Sequence, residues 1–353
     1  MLKTYLFIFL IAFGISYLLT PLIRLLSLKM GWLDKPNYRK INTKPMPLLG
    51  GLAIFISYAA ALLIFHALRP NFMLPLKFWG LLLSCSIIVM AGLVDDIFYL
   101  SARRKLFYQV CAAMIAYAYG FNIIRVSGPI GGQFEVSMFF SFFLTVFWII
   151  GFTNAVNLLD GLDGLAAGVS GIIAFTLFFA GIKGHNPIIA ILSVPLAGSA
   201  LGFLRHNFYP AKIFMGDTGS MFLGFILALI SIEGSYKGST FFAIFVPIIA
   251  MGLPFVDTGL SILRRILSGK KIFTADKEHV HHKLLLIEGQ QKKAVLTLYM
   301  LTISFGFIAV ALIGMRGIWA FSAIVITGIL TIQWAKSFGL FDFLSQKPKN
   351  EEK

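Results

Sequence analysis

The chain has 353 residues, 58% of them hydrophobic and only 13% charged, with a mean hydropathy of +0.86. A charged share about half that of globular proteins excludes an ordinary soluble domain. The net charge of +15 accompanies apolar runs of about 18 residues or more, the length that crosses a bilayer, so a nucleic-acid partner is not expected.

These runs specify an all-α polytopic membrane protein. Eleven transmembrane helices are predicted near 4–23, 48–68, 78–96, 106–124, 138–156, 164–182, 187–204, 219–234, 241–263, 295–315 and 318–335. An outer-membrane barrel would show short alternating segments instead. Only Lys3 precedes the first span and no small-residue cleavage site follows it, so a retained helix is expected rather than a cleaved signal peptide. Residues 1–353 read as a single integral membrane domain with a short polar tail, 336–353. Cys85 and Cys111 fall inside predicted spans as inert thiols.

The loops carry the topology signal. The odd-numbered connections and the C-terminal tail hold 23 of the 30 Lys and Arg. The positive-inside rule places them in the cytoplasm and the N-terminus outside. Anionic headgroups and a phosphorylated substrate are the partners that suit this charge. Between the fourth and fifth spans, "IRVSGPIGGQFEVSMF" alternates around Gly-Gly, which predicts a small extracytoplasmic β-hairpin.

The polar residues follow in chain order. "TKPMPLLGG" fixes a turn ahead of the second span and puts Lys44 at the membrane surface, where a topology signal is the competing reading. Asp95 and Asp96 close the third span in "GLVDDIFYLSARRKL". In "NAVNLLDGLDGLAAG", Asn154, Asn157, Asp160 and Asp163 recur every three residues and would share one face of a helix. "FMGDTGSMFLG" sets Asp217 between glycines at the start of an apolar run. There it could hold a divalent cation beside backbone N–H groups that bind an anion, or simply cap the helix with Thr218 or Ser220. Asp257 and Asp276 come next. "DKEHVHHKLL" then gathers His279, His281 and His282 among lysines and arginines, a setting that favours phosphate over zinc.

Seven of these acids map to one membrane face, and the other keeps only Glu135 and Glu233. An acid inside the bilayer costs about 2.5–3.5 kcal/mol on insertion scales, so such residues are usually paired or functional. Carboxylates, a divalent cation and basic groups are the recurring parts of phosphoryl transfer. Mg²⁺ suits the set because it takes one or two carboxylates plus substrate phosphates. The competing class, a lipid or solute transporter, would place its polar site near the bilayer midplane.

Taken in order, "KPMPLLGG", "VDDIFYLSARRKL", "NAVNLLDGLDGLAAG", "FMGDTGSMFLG" and "DKEHVHHKLL" resemble the polyprenyl-phosphate N-acetylhexosamine-1-phosphate transferases of the glycosyltransferase 4 family. The resemblance implies a reaction in which a polyprenyl phosphate attacks the β-phosphorus of a UDP-N-acetylamino sugar. UMP leaves, Mg²⁺ is the cofactor, and Mn²⁺ is a substitute. By the same resemblance Asp217 binds the metal. Asp95 and Asp96 bind it too or activate the lipid phosphate. Asn157, Asp160 and Asp163 belong to the nucleotide segment, with Asp163 a uracil contact. Lys44, Asn207 and Phe214 match other uridine-pocket positions, Lys105 matches a basic residue after the acidic pair, and His279, His281 and His282 lie near the diphosphate and sugar. A further acid that some members carry after the pair is missing, since Ile97, Phe98, Tyr99 and Leu100 follow.

The interrupted "HVHH" is closer to the branch that uses UDP-GlcNAc to begin O-antigen, common antigen or teichoic acid linkage units. The alternative is the phospho-MurNAc-pentapeptide transferase branch, with three consecutive histidines. The implied setting is the bacterial cytoplasmic membrane with the active site on its cytoplasmic face, and a homodimer is compatible with it.

Overall fold

The computed structural model describes residues 2–36, 42, 44–127, 133–237, 245–267, 280–315 and 317–338. In chain order the elements are α1 (Leu2–Met30), β1 (Leu33–Asp34), β2 (Met46–Pro47), α2 (Gly50–Leu68), α3 (Pro75–Phe98), α4 (Ala102–Ala118), β3 (Arg125–Ser127), β4 (Gln133–Glu135), α5 (Met138–Leu159), α6 (Leu165–Lys183), α7 (Pro187–Asn207), α8 (Gly216–Lys237), α9 (Phe245–Ala250), α10 (Gly252–Leu267), α11 (Val280–Glu288), α12 (Gln291–Leu312) and α13 (Gly317–Ser337). Among the described residues, nine helices are long and apolar enough to cross a membrane. The protein is a multi-pass membrane protein.

α8 is the axis of the bundle, with 89% of its apolar window enclosed, against 28% for α1 and 17% for α13. α3 and α5 pack on α8, α6 and α1 pack on α7, and α12 closes against α6. The outward faces carry large apolar side chains such as Phe139, Phe147 and Phe307, 66%, 77% and 74% exposed. Exposure on that scale suits hydrocarbon, because soluble monomers rarely leave large contiguous apolar patches in water.

Two predicted spans are corrected. In place of the fourth, the helix runs Ala102–Ala118 instead of 106–124 and is not among the nine. It ends because Gly120 adopts φ +95°, and Phe121 N–H then bonds back to Ala116 C=O at 3.0 Å. That is a Schellman-type stop, in which a left-handed glycine turns the chain away from the helix. The shift brings Lys105 into the first turn of α4. The ninth span is broken into α9 and α10 around Met251. Pro254 has no N–H to offer Ala250, so the ladder cannot run through unbroken; it resumes with Phe255 N–H to Met251 C=O at 3.1 Å.

The small hairpin expected between the fourth and fifth predicted spans is present as an antiparallel β3–β4 pair that sets Arg125 opposite Glu135, with an ion pair at 3.1 Å. A second antiparallel pair, β1–β2, was not foreseen; it sets Leu33 opposite Pro47 and Asp34 opposite Met46.

Glycine permits the tightest approaches. A Cβ on Gly51 of α2 would collide with the Gly219 backbone of α8, and one on Gly92 of α3 with the Asp217–Thr218 backbone. The two contacts seat the start of α8 between α2 and α3. Gly50 N–H and Gly51 N–H bond to Phe214 C=O and Met215 C=O at 3.0 and 2.9 Å, joining "PLLGG" to "FMGDTGS".

Candidate active site: a carboxylate cleft at one end of the bundle

Where α3 and α5 end and α8 begins, the chain leaves a cleft of about 680 Å³. Nine residues singled out from the sequence line it: Lys44, Asp95, Asp96, Asn157, Asp160, Asp163, Asn207, Phe214 and Asp217. They come from five separate stretches, and the tertiary fold brings them together.

Asp217 occupies the first turn of α8, where the helix dipole favours a negative charge. Asn157 Nδ2 donates to its Oδ1 at 3.2 Å and to Ser220 Oγ at 2.8 Å. Lys105 pairs with Asp217 and, at 2.7 Å, with Asp95 Oδ2. The lysine ammonium therefore bridges the two acids from the α4 side. The other Asp95 oxygen accepts Leu100 N–H at 2.6 Å. That bond needs the chain to double back at Tyr99, a non-glycine residue with φ +56°. Such backbone strain is characteristic of functional sites.

Asp96 serves α8 directly. Its Oδ1 accepts Asp217 N–H at 2.7 Å, and its Oδ2 accepts Thr218 N–H at 3.0 Å and Thr218 O–H at 2.6 Å. These are amides that a helix start leaves without intrahelical partners. The capping role weighed for residues 217–220 thus falls to an acid more than 100 positions earlier in the chain. Ligand oxygens of Asp95, Asp96 and Asp217 lie within 4.8 Å of one another. This is an all-oxygen donor set of the hardness that Mg²⁺ prefers, and the Lys105 ammonium between two of its members is a cation already held there.

The four-residue polar stripe is corrected. α5 stops at Leu159, with Asp160 as its C-cap, and α6 starts only at Leu165. Asn157 faces Asp217, Asp160 and Asp163 project from the connecting turn into the cleft, and Asn154, one turn back on the same face of α5, pairs with Gln109 on α4. Burial pushes the Asp160 carboxyl well above the usual carboxylate range, and the neighbouring Asp217, Asp96, Asp163 and Asp34 push it further.

Asn207 is more a scaffold than a free contact. Its Oδ1 accepts Gly164 N–H at 3.1 Å and its Nδ2 donates to Ile213 C=O at 2.9 Å, tying the 160–164 turn to the 208–215 loop. Asp163 reinforces the tie by accepting Ala211 N–H at 2.9 Å on one oxygen. Tyr299 on α12 closes the same turn with a 2.5 Å bond to Gly164 C=O.

His279 lies outside the described residues; His281 and His282 sit in the first turn of α11, their side chains outside the description. The start of that helix is held by Asp257, 1% exposed on α10, which accepts Val280 N–H at 2.7 Å. Asp257 was visible in the sequence as one more acid on this face, but its role was not. Asp34, Tyr209 and Gln291 also line the cleft. No motif marks them, because they arrive from loops and from the far end of the chain.

Residues 78–235 match the description of glycosyl transferase family 4. A "Probable undecaprenyl-phosphate N-acetylglucosaminyl 1-phosphate transferase" from Bacillus subtilis is 39% identical over 86% of this chain and 84% of its own length. The chain belongs to glycosyl transferase family 4. A "Decaprenyl-phosphate N-acetylglucosaminephosphotransferase" from Mycobacterium leprae is 34% identical over 90% of this chain and 87% of its own. A "Phospho-N-acetylmuramoyl-pentapeptide-transferase" from Oceanobacillus iheyensis is 32% identical over 78% of this chain and 87% of its own. The segment matched to family 4 contains every residue of the Asp95–Asp96–Lys105–Asn157–Asp217 constellation and leaves Lys44, His279, His281 and His282 outside it.

Proposed function

We propose that this family 4 protein transfers GlcNAc-1-phosphate from UDP-GlcNAc to a polyprenyl phosphate such as undecaprenyl phosphate. A phosphate oxygen of the lipid forms a bond to the β-phosphorus, the bond from that phosphorus to the bridging oxygen breaks, and UMP departs with the electron pair. The observation that carries the reading is the convergence of Asp95, Asp96 and Asp217 at the end of a membrane bundle, in a chain whose relatives bear this activity in their names.

Asp217 and Asp95, with Asp96 behind them, are the residues that would hold Mg²⁺, or Mn²⁺ in its place. When bound, the ion supplies charge neutralisation to the diphosphate. The chain's own residues do the rest. Asn157 fixes the rotamer of Asp217, and Lys105 orients both acids and offsets their repulsion. Lys44, exposed at the cleft wall, offers a cation to the anionic donor, and the Phe214 ring offers a face for the base. One Asp163 oxygen holds Ala211 N–H, and the other can accept a uracil N–H. His279, His281 and His282 are assigned to the diphosphate and sugar.

We read this cleft as lying on the cytoplasmic face of a bacterial inner membrane, with the N-terminus outside and the C-terminus in the cytoplasm, an orientation that the distribution of Lys and Arg supports. A transporter reading is disfavoured by Glu233. It lies at the far end of α8, paired with Lys77 Nζ at 2.5 Å, about 24 Å of helix from Asp217 at 1.5 Å per residue.

Purified protein given radiolabelled UDP-GlcNAc, undecaprenyl phosphate and Mg²⁺ should form a lipid-linked sugar and release UMP, and EDTA should stop it. A panel of UDP-sugars decides the donor. Absence of product with every UDP-amino sugar would overturn the transferase reading, and preference for UDP-MurNAc-pentapeptide would move the protein to the other branch.

A further inference from the structure

Gln109 on α4 and Asn154 on α5 form a reciprocal amide pair. Gln109 Nε2 donates to Asn154 Oδ1 at 3.3 Å, and Asn154 Nδ2 donates to Gln109 Oε1 at 2.9 Å and to Ile150 C=O of its own helix at 2.9 Å. Gln109 is 2% exposed, and its helix buries Ala112, Ala113 and Ala116 on the following turns. Neither amide lines the cleft. Two leucines would fill such a position without any need for hydrogen bonds, and an unpaired amide there is costly. Packing alone therefore does not account for the pair.

Its neighbours along each helix supply an account. Lys105 stands four residues before Gln109, one turn away on the same face. Asn157 stands three residues after Asn154, again on the same face. Both reach Asp217, Lys105 through its ammonium to Oδ2 and Asn157 through its amide to Oδ1. α4 and α5 are thus each fastened to the first turn of α8, and the amide pair fastens them to each other one turn deeper. Amide–amide bonding is directional, and a slip of one helical turn, about 5.4 Å, would break both bonds. A leucine pair would tolerate a partial slip.

We infer that Gln109 and Asn154 are positioning residues, which set the register of α4 against α5 so that Lys105 and Asn157 meet the two oxygens of Asp217 together. The inference rests on the transferase reading of the cleft.

The test uses the full-length protein as Gln109→Leu, Asn154→Leu, the double leucine variant, and the exchange Gln109→Asn with Asn154→Gln, which keeps the combined length of the two arms. Four quantities are measured: kcat, KM for each substrate, the Mg²⁺ concentration giving half-maximal rate, and the thermal unfolding midpoint without metal. Each single leucine should lower kcat roughly 10–100-fold, the range for removing outer partners of a metal site. It should also raise the Mg²⁺ requirement severalfold, while KM for UDP-GlcNAc stays within about twofold of wild type. The double leucine variant should regain the unfolding midpoint but not kcat, and the exchange should regain most of both.

Wild-type kcat in the single variants overturns the inference. So does a double leucine variant whose kcat recovers along with its stability, since that would make the pair mere packing. An exchange variant as impaired as the singles overturns it too. Inactivity of the wild-type protein with every UDP-amino sugar would instead sink the proposed function, so the two failures are distinguishable.

Discussion

Replacing Asp96 separates its structural service from metal binding. Its carboxylate accepts two N–H groups and a hydroxyl from the first turn of α8. Asp96→Ala leaves those donors facing a partly buried gap. A hydrogen bond to a charged group contributes about 1.5–3 kcal/mol. The three share one acceptor group, and removing it also relieves its repulsion with Asp217, so their sum overstates the loss. We expect a cost of about 3–5 kcal/mol, the range for removing one partner of a buried charged network. At about 2.1 cal/mol/K of unfolding entropy per residue over 353 residues, 1 kcal/mol moves the midpoint by about 1.3 °C. Asp96→Ala should therefore melt roughly 4–7 °C below wild type. Asp96→Asn keeps one acceptor oxygen but turns an NH₂ toward a donor, and should lose about 1–3 kcal/mol.

Asp217→Asn makes the contrast. It gives up the Lys105 ion pair but no helix-capping bond, so its melting point should stay near wild type while turnover falls by at least three orders of magnitude, the scale for a principal electrostatic group of an active site. The assays are thermal unfolding in detergent without metal, followed by UMP release. If Asp96→Asn melts within about 1 °C of wild type yet loses activity as completely as Asp217→Asn, the capping role argued for Asp96 is wrong, and it is a metal ligand first.

Gly92→Ala should lower both stability and activity, because its methyl would meet the Asp217–Thr218 backbone; overpacking of this kind costs about 1–3 kcal/mol, and a fully active, fully stable variant would count against the tight α3–α8 seat. Tyr299→Phe removes the bond to Gly164 C=O at a cost of about 1 kcal/mol, and should raise KM for the UDP-sugar more than it lowers kcat, as read by substrate titration. Asp160 carries the pH prediction. Its folded-state pKa is raised, by burial first and then by neighbouring acids. Above the ordinary carboxylate value the unfolded chain ionises while the folded one resists, so wild type loses stability as pH rises through that window and levels off above the folded value. Asp160→Asn cannot ionise, so metal-free variant and wild type should melt alike near pH 3 and the variant should melt higher at pH 8. An equal difference at both pH values would refute this.

The sequence alone determined the class of molecule and named many of the side chains that line its cleft. Apolar runs long enough to span a bilayer can be read without coordinates because lipid leaves a chain few alternatives to helices. Acids stand out against so apolar a background, the family resemblance added Asn207 and Phe214, and with Lys44, Asp95, Asp96, Asn157, Asp160, Asp163 and Asp217 these all reached one cleft. Periodicity failed where a helix stopped. Nothing at i, i+3 spacing announces that α5 ends at Leu159, so Asp160 and Asp163 were grouped on a helical face that stops short of them. The break at Pro254 and the stop at Gly120 were equally local events inside long apolar runs.

Only the tertiary structure divided the labour among like residues. Asp95 and Asp96 are adjacent in sequence, but successive helical positions point about 100° apart. One therefore meets Lys105 and the other the amides of α8. Asn207 and Asp257 proved to hold backbone, and Gln109, which no motif marks, proved to hold Asn154. Apart from the Asp95–Lys105 pair, ten positions apart, each of these roles depends on a partner 23 to 121 positions away. Such pairings are set by how the helices pack against one another, and no local pattern in the chain encodes them.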